Sequence, residues 1–137
     1  MYCSLEDWKA GLVANAADVA VAQDLVDAYA AQHSANTDRR NRQSVAVHLM
    51  SLCAAVETGL SGTGRRAAIG RWTHRDYPPL LPSPRHFEVT ASDVAAAPVQ
   101  RRAATVQRMA ATTWAAWSEH HATIREWLAS GGPSSPP

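Results

Sequence analysis

Four prolines in seven positions, Pro78, Pro79, Pro82 and Pro84, split this chain into two stretches that can be helical and a middle that cannot. Proline removes a backbone donor and clashes with the preceding helical turn, and it pushes the residue before it out of the helical region. On both sides of the interruption apolar residues recur at three- and four-residue spacing, the period of an amphipathic helix. Alanine supplies much of the 46% apolar content, which favours helix over sheet. At 137 residues the chain is long enough for one genuine core. The expected fold is therefore all-α: a single-domain bundle of about four main helices over residues 1–130, with a long proline-rich crossover loop and a disordered tail over 131–137.

The periodicity places the helices. Ser4 and Asp7 form a weak capping pattern before a short helix over 5–13. A second helix covers 17–32, with Ala22, Leu25, Val26 and Tyr29 as its stripe and His33 one turn beyond. A third covers 40–58 on Val45, Leu49, Leu52 and Val56, and Gly59 stands where a left-handed C-terminal cap belongs. Ser61 to Gly64 reads as a joint, and 65–72 as a short helix. An irregular segment over 73–90 carries His74, Asp76, Tyr77, Arg85, His86 and Glu88. Such long loops in compact domains are commonly lids or binding loops, or else plain cross-connections over a bundle face. A helical turn opens at Thr90 to Asp93. One last long helix runs over 98–129 on Val99, Val106, Ala110, Thr113, Trp117, Ile124 and Leu128, and Gly131, Gly132 and Pro133 stop it.

Several function classes are disfavoured. The net charge is +1, with Lys9 as the only lysine, whereas a nucleic-acid binder normally shows a basic excess. No apolar run approaches the roughly 20 residues that cross a bilayer. The N-terminus lacks a charged stretch followed by an apolar one, so no signal peptide is expected. Two cysteines, Cys3 and Cys53, are the usage of a cytoplasmic protein and not of a disulfide scaffold. A homodimer is compatible with these numbers. Serine and cysteine nucleophile motifs, phosphate-binding glycine loops and His-Glu-x-x-His are all absent.

The chemistry-bearing residues are histidines. His33, His48, His120 and His121 fall on or beside the apolar stripes of their helices. At about 100° per residue, His48 lies roughly 60° from its stripe centre and His121 about 40° from its own. Imidazole is the commonest transition-metal ligand and the commonest general acid or base near neutral pH. His33, His48 and His121 are candidate ligands for a divalent transition metal such as zinc, for which three protein ligands leave one open position. His48, His121 and His120 are the candidate catalytic groups, with the 73–88 loop expected to cover them. Asp24, Asp27, Glu57, Glu119 and Glu126 are the carboxylates near the helix interiors, and Asp27 is placed to be partly inward. Trp117, Trp114, Tyr29, Arg85 and Tyr77 are candidate substrate contacts; the indoles equally suit gap-filling in an alanine-rich core.

The blocks Asp27-Ala-Tyr-Ala-Ala-Gln-His33, Gln43 to Cys53, Thr90 to Val94 and Trp114 to Trp127 resemble a family of uncharacterised bacterial proteins common in actinobacteria and catalogued as a domain of unknown function. The resemblance implies a helical fold and retained positions at His33, His48 and His120/His121. Typical members also carry a Cys-x-x-Cys-Gly segment suggesting zinc, and a histidine where this chain has Ala22. Those departures suggest a degraded or repurposed member. Two readings follow. One is a small helical enzyme acting on a small organic molecule, in bacterial specialised metabolism, through a His-centred, metal-dependent or metal-free site. The other is a non-catalytic metal-binding or regulatory helical module that docks a protein partner.

Overall fold

A computed structural model describes residues 16–35, 37–60, 62–73 and 75–130. The helix expected over 5–13 and the tail over 131–137 lie outside the described residues. The rest is all-α: α1 (Ala16–Gln32), α2 (Arg39–Thr58), α3 (Gly62–Trp72), α4 (Ala91–Ala96), α5 (Val99–Ala116), a short 3-10 turn (Ser118–His120) and α6 (His121–Ser130). No strand occurs among the described residues, and no helix there is long and apolar enough to cross a membrane.

The central element is α2. Its start is capped by Asp38, whose side chain accepts from the Asn41 N–H at 2.9 Å. From Val45 to Ala54 every residue is buried except His48. A helix buried on all sides needs neighbours on all sides, and α2 packs against α1, α3, α5 and α6. The helix ends as expected at Gly59, which adopts φ 70° and donates back to the Ala55 carbonyl.

On α1 the buried face differs from the expected stripe. Leu25, Ala28 and Ala31 are buried, as is Asp27 between them, while Val26 and Tyr29 are only partly covered. The face has rotated to carry a carboxylate into the bundle. Two apolar clusters lie on either side: Leu25, Ala28, Val94, Val106 and Met109 in one, and Leu49, Leu52, Trp114, Trp117, Ile124 and Trp127 in the other.

The last helix is not continuous. It breaks at Trp117, whose φ −89° and ψ 18° leave the helical region, and restarts at His121. Trp117 is 1% exposed, and its indole N–H donates to the Ala31 carbonyl at 3.2 Å. The break lets Ile124 and Trp127 of α6 enter the same cluster as Trp114 of α5. The joint expected at Ser61 to Gly64 is also shorter than drawn, since α3 begins at Gly62. The turn at Thr90 extends into α4, where Asp93 accepts from the Thr90 N–H at 2.8 Å.

The proline-rich segment is held by backbone carbonyls offered to α2. Arg42 donates from Nε to Tyr77 O and from a terminal nitrogen to Thr37 O, each at 3.0 Å. Gln43 reaches Thr73 O and Arg75 O. Farther on, Gln32 donates to Val89 O at 2.8 Å and to Thr113 Oγ1 at 2.9 Å. Gly59→Ala tests the α2 cap: a Cβ at this positive φ should cost about 1–2 kcal/mol, read as a shift in urea midpoint without a change in slope.

Candidate functional site

The carboxylate of Asp27 is fully buried, at 0% exposure. It collects donors from three helices. Oδ1 accepts from Gln23 Nε2 at 2.8 Å, one turn back on α1, and faces His48 Nδ1 of α2 at 2.7 Å. Oδ2 accepts from the Ser51 hydroxyl of α2 and from Arg65 of α3 at 2.5 Å. Residues 48 and 51 are three apart on a helix and so share a face. Arg65 is itself only 2% exposed. Its Nε donates to Ser51 Oγ at 2.8 Å, and its other terminal nitrogen donates to Asp24 at 2.5 Å.

Electrostatics explains why these groups come together. A buried charge without a partner is strongly unfavourable, so Asp27 requires a cation and hydrogen bonds on both oxygens. Two carboxylates share one guanidinium here. Burial pushes the Asp24 carboxyl above its ordinary value, although Arg65 pulls it the other way. The side chain of His48 is 21% exposed while that of Asp27 is 0%. The network therefore has a buried interior and one histidine at its edge. An ionised carboxylate only accepts, so the Nδ1 that faces it carries a proton, and in the neutral ring Nε2 then holds the lone pair. Nε2 has no hydrogen bond among the described residues.

His33, His120 and His121 bond to peptide carbonyls instead. His33 is exposed, stacks on Tyr29 at 4.1 Å and donates from Nδ1 to Tyr29 O at 2.7 Å. His120 donates from Nε2 to Pro82 O at 2.8 Å. His121 stacks on Trp114, with centroids 3.8 Å apart and planes within 7°, and donates from Nε2 to Trp114 O at 2.6 Å. The structure thus holds His33, His48 and His121 in three separate sets of contacts. Among the described residues no group of three His, Cys, Asp or Glu side chains is placed to hold a metal ion.

The expected substrate contacts are not gathered around His48 either. Trp114 and Trp117 are core residues, and Tyr77 is 1% exposed with its hydroxyl on Trp72 O at 3.0 Å. Tyr77 also packs its ring against Trp127. Arg85 is exposed. The loop does reach one expected histidine, through the Pro82 carbonyl on His120. Trp117 also borders a cleft with Arg42, Val45, Ala46 and residues 78–81, whose lining does not include His48.

A second polar cluster ties α2 to α5 and α6. Glu57 accepts from Arg125 at 2.6 and 2.9 Å and from the Trp114 indole at 3.2 Å. The Arg125 guanidinium holds the Glu57 carboxyl down at about 2. Cys53 is buried, and burial, reinforced by Glu57, pushes its thiol up to about 12. It is a protonated core residue and not a nucleophile.

Sequence reasoning found His48 and Asp27 but missed Ser51 and Arg65. A signal was available. Asp27 lies among Leu25, Ala28 and Ala31, and an acidic residue on a buried helix face demands a cation from elsewhere. Nothing in the local sequence says that Arg65, and not one of its arginine neighbours, supplies it.

The family of unknown function DUF5946 matches residues 8–118, more than half of the chain. No curated protein and no solved structure matches it.

Two measurements test the two clusters. Asp27→Ala removes one of the two carboxylates that share Arg65, together with the acceptor of Ser51 and His48, and should lower unfolding free energy by about 3–5 kcal/mol in urea. For Glu57 the sign follows from a folded value near 2 against an ordinary 4.5. Its stabilisation is fully present above about pH 4.5 and is lost as pH falls toward 2. The stability gap between wild type and Glu57→Gln should therefore narrow over that window; a gap independent of pH would remove the pair from the acid response.

Proposed function

The chain belongs to the DUF5946 family, whose description names no activity, and on that premise we propose that it is a small cytoplasmic acid–base enzyme acting on a small organic molecule. His48 is the group that takes and returns the proton, and Asp27 orients it. The observation that carries this reading is the 2.7 Å contact between His48 Nδ1 and a fully buried carboxylate, with the ring itself at the solvent edge of the network.

The chemistry is that of an oriented imidazole. Nε2 offers its lone pair to an acidic C–H, N–H or O–H of a bound molecule. As the proton arrives the ring becomes cationic, and the Asp27 carboxylate stabilises that charge across the Nδ1–H bond. The proton can then return to the leaving atom. Ser51 takes no part as a nucleophile in this reading, because its hydroxyl proton is committed to Asp27 and its oxygen to Arg65. The metal-free form is favoured over a zinc-dependent one, because among the described residues His48 and its carboxylate belong to no group of three His, Cys, Asp or Glu side chains placed to hold a metal ion.

A chromogenic proton-abstraction probe tests the base without knowledge of the natural substrate. With 5-nitrobenzisoxazole, a base removes the ring C–H, those electrons form the nitrile, and the N–O bond breaks to give a coloured cyanonitrophenolate. The expected outcome is a rate that falls at least about tenfold in His48→Ala, at the low end of what a positioned base contributes. His121→Ala should leave it unchanged, since that ring is committed to Trp114. Equal rates in wild type and His48→Ala would overturn the assignment.

A further inference from the structure

We infer that Arg65 is the positioning residue of this site: its grip on one oxygen of Asp27 and on Ser51 keeps the other oxygen as the acceptor that fixes the His48 proton on Nδ1. The consequence for rate rests on the acid–base reading above; the hydrogen-bond argument stands on geometry alone.

An ionised carboxylate has about four lone-pair sites, and those of Asp27 are all used. Gln23 and His48 take Oδ1; Ser51 and Arg65 take Oδ2. Ser51 has one proton to give. Its oxygen already accepts from Arg65 Nε at 2.8 Å, so that proton is directed onto Asp27. Arg65 therefore acts on Asp27 twice, directly through one terminal nitrogen and indirectly by orienting the Ser51 hydroxyl. Its remaining terminal nitrogen is anchored on Asp24. A planar guanidinium presents three such contacts at once in a fixed fork, which an ammonium on a flexible stem does not.

Without this cation, Asp24 and Asp27 would be two carboxylates one helical turn apart, Asp27 fully buried, with no counter-charge between them. Like charges and burial both favour the neutral acid, and they do so most at Asp27, which is fully buried while the Asp24 side chain is 18% exposed, so Asp27 takes up the proton. A protonated Asp27 becomes a donor. It then donates to His48 Nδ1 and drives the ring proton to Nε2. The solvent-edge nitrogen is already protonated in that form and cannot serve as a base. Losing Arg65 thus disables His48 without moving it.

The test reads the tautomer directly. Protein labelled with 15N-histidine is examined by long-range proton–nitrogen correlation at a pH where the rings are neutral, and the His48 signals are assigned by their loss in His48→Gln. Wild type should show His48 with its proton on Nδ1. Arg65→Met keeps the apolar stem and removes the fork. It should shift His48 to a majority with the proton on Nε2 and lower the 5-nitrobenzisoxazole rate at least about tenfold. Arg65→Lys retains a charge and should fall between the two; it is the variant to read should Arg65→Met fail to give a helical circular dichroism spectrum. A wild-type His48 tautomer in a folded Arg65 variant overturns the positioning role, whatever happens to the rate. A shifted tautomer in a protein whose wild type shows no proton abstraction overturns the acid–base reading and leaves the positioning role standing.

Discussion

One buried carboxylate organises this protein. Asp27 is the only acidic side chain with 0% exposure among the described residues, and the groups that satisfy it come from three helices. α1 supplies the charge and a glutamine, α2 a histidine and a serine, and α3 the arginine. Each of those contacts is conditional on the others, because an unsatisfied partner in a dry interior is costly. The network therefore does more than add stability. It ties three helices to one another through a single carboxylate.

The same constraint explains why the histidines, alike in the sequence, differ in the fold. Four lie near helical stripes, and three of them spend a ring N–H on a peptide carbonyl. A carbonyl fixes a tautomer but carries no full charge to stabilise an imidazolium. Only His48 faces a carboxylate. His121 illustrates the alternative: placed close to its expected stripe centre, it becomes a flat ring on Trp114 at a helix restart. Its position on the stripe was legible; its partner was not.

The break at Trp117 has an equally local cause and a distant effect. The indole must be buried, and its N–H must find an acceptor, which it does at the end of α1. A continuous helix would carry the following residues past the core. Interrupting it turns α6 so that Ile124 and Trp127 pack beside Tyr77 and the proline-rich segment. Helical periodicity is nearly unaffected by a three-residue interruption, which is why the stripe over 98–129 read as one element.

The helical class, the position of the proline-bearing interruption, the cap at Gly59 and the inward tendency of Asp27 and His48 are all legible along the chain. Those are properties of spacing, backbone geometry and burial within one segment, and short-range physics sets them. Helix packing is what brings Arg65 and Ser51 into the site, keeps the three candidate metal-binding histidines from forming a ligand set, and places Trp114, Trp117 and Tyr77 in the core. These depend on which faces oppose one another across 14 to 86 residues of chain, as Arg65 with Ser51 and Trp117 with Ala31 do. A charge on an apolar face announces that a partner must exist. Its identity is settled by helix packing, where a guanidinium already inside the bundle outcompetes any arginine left in water.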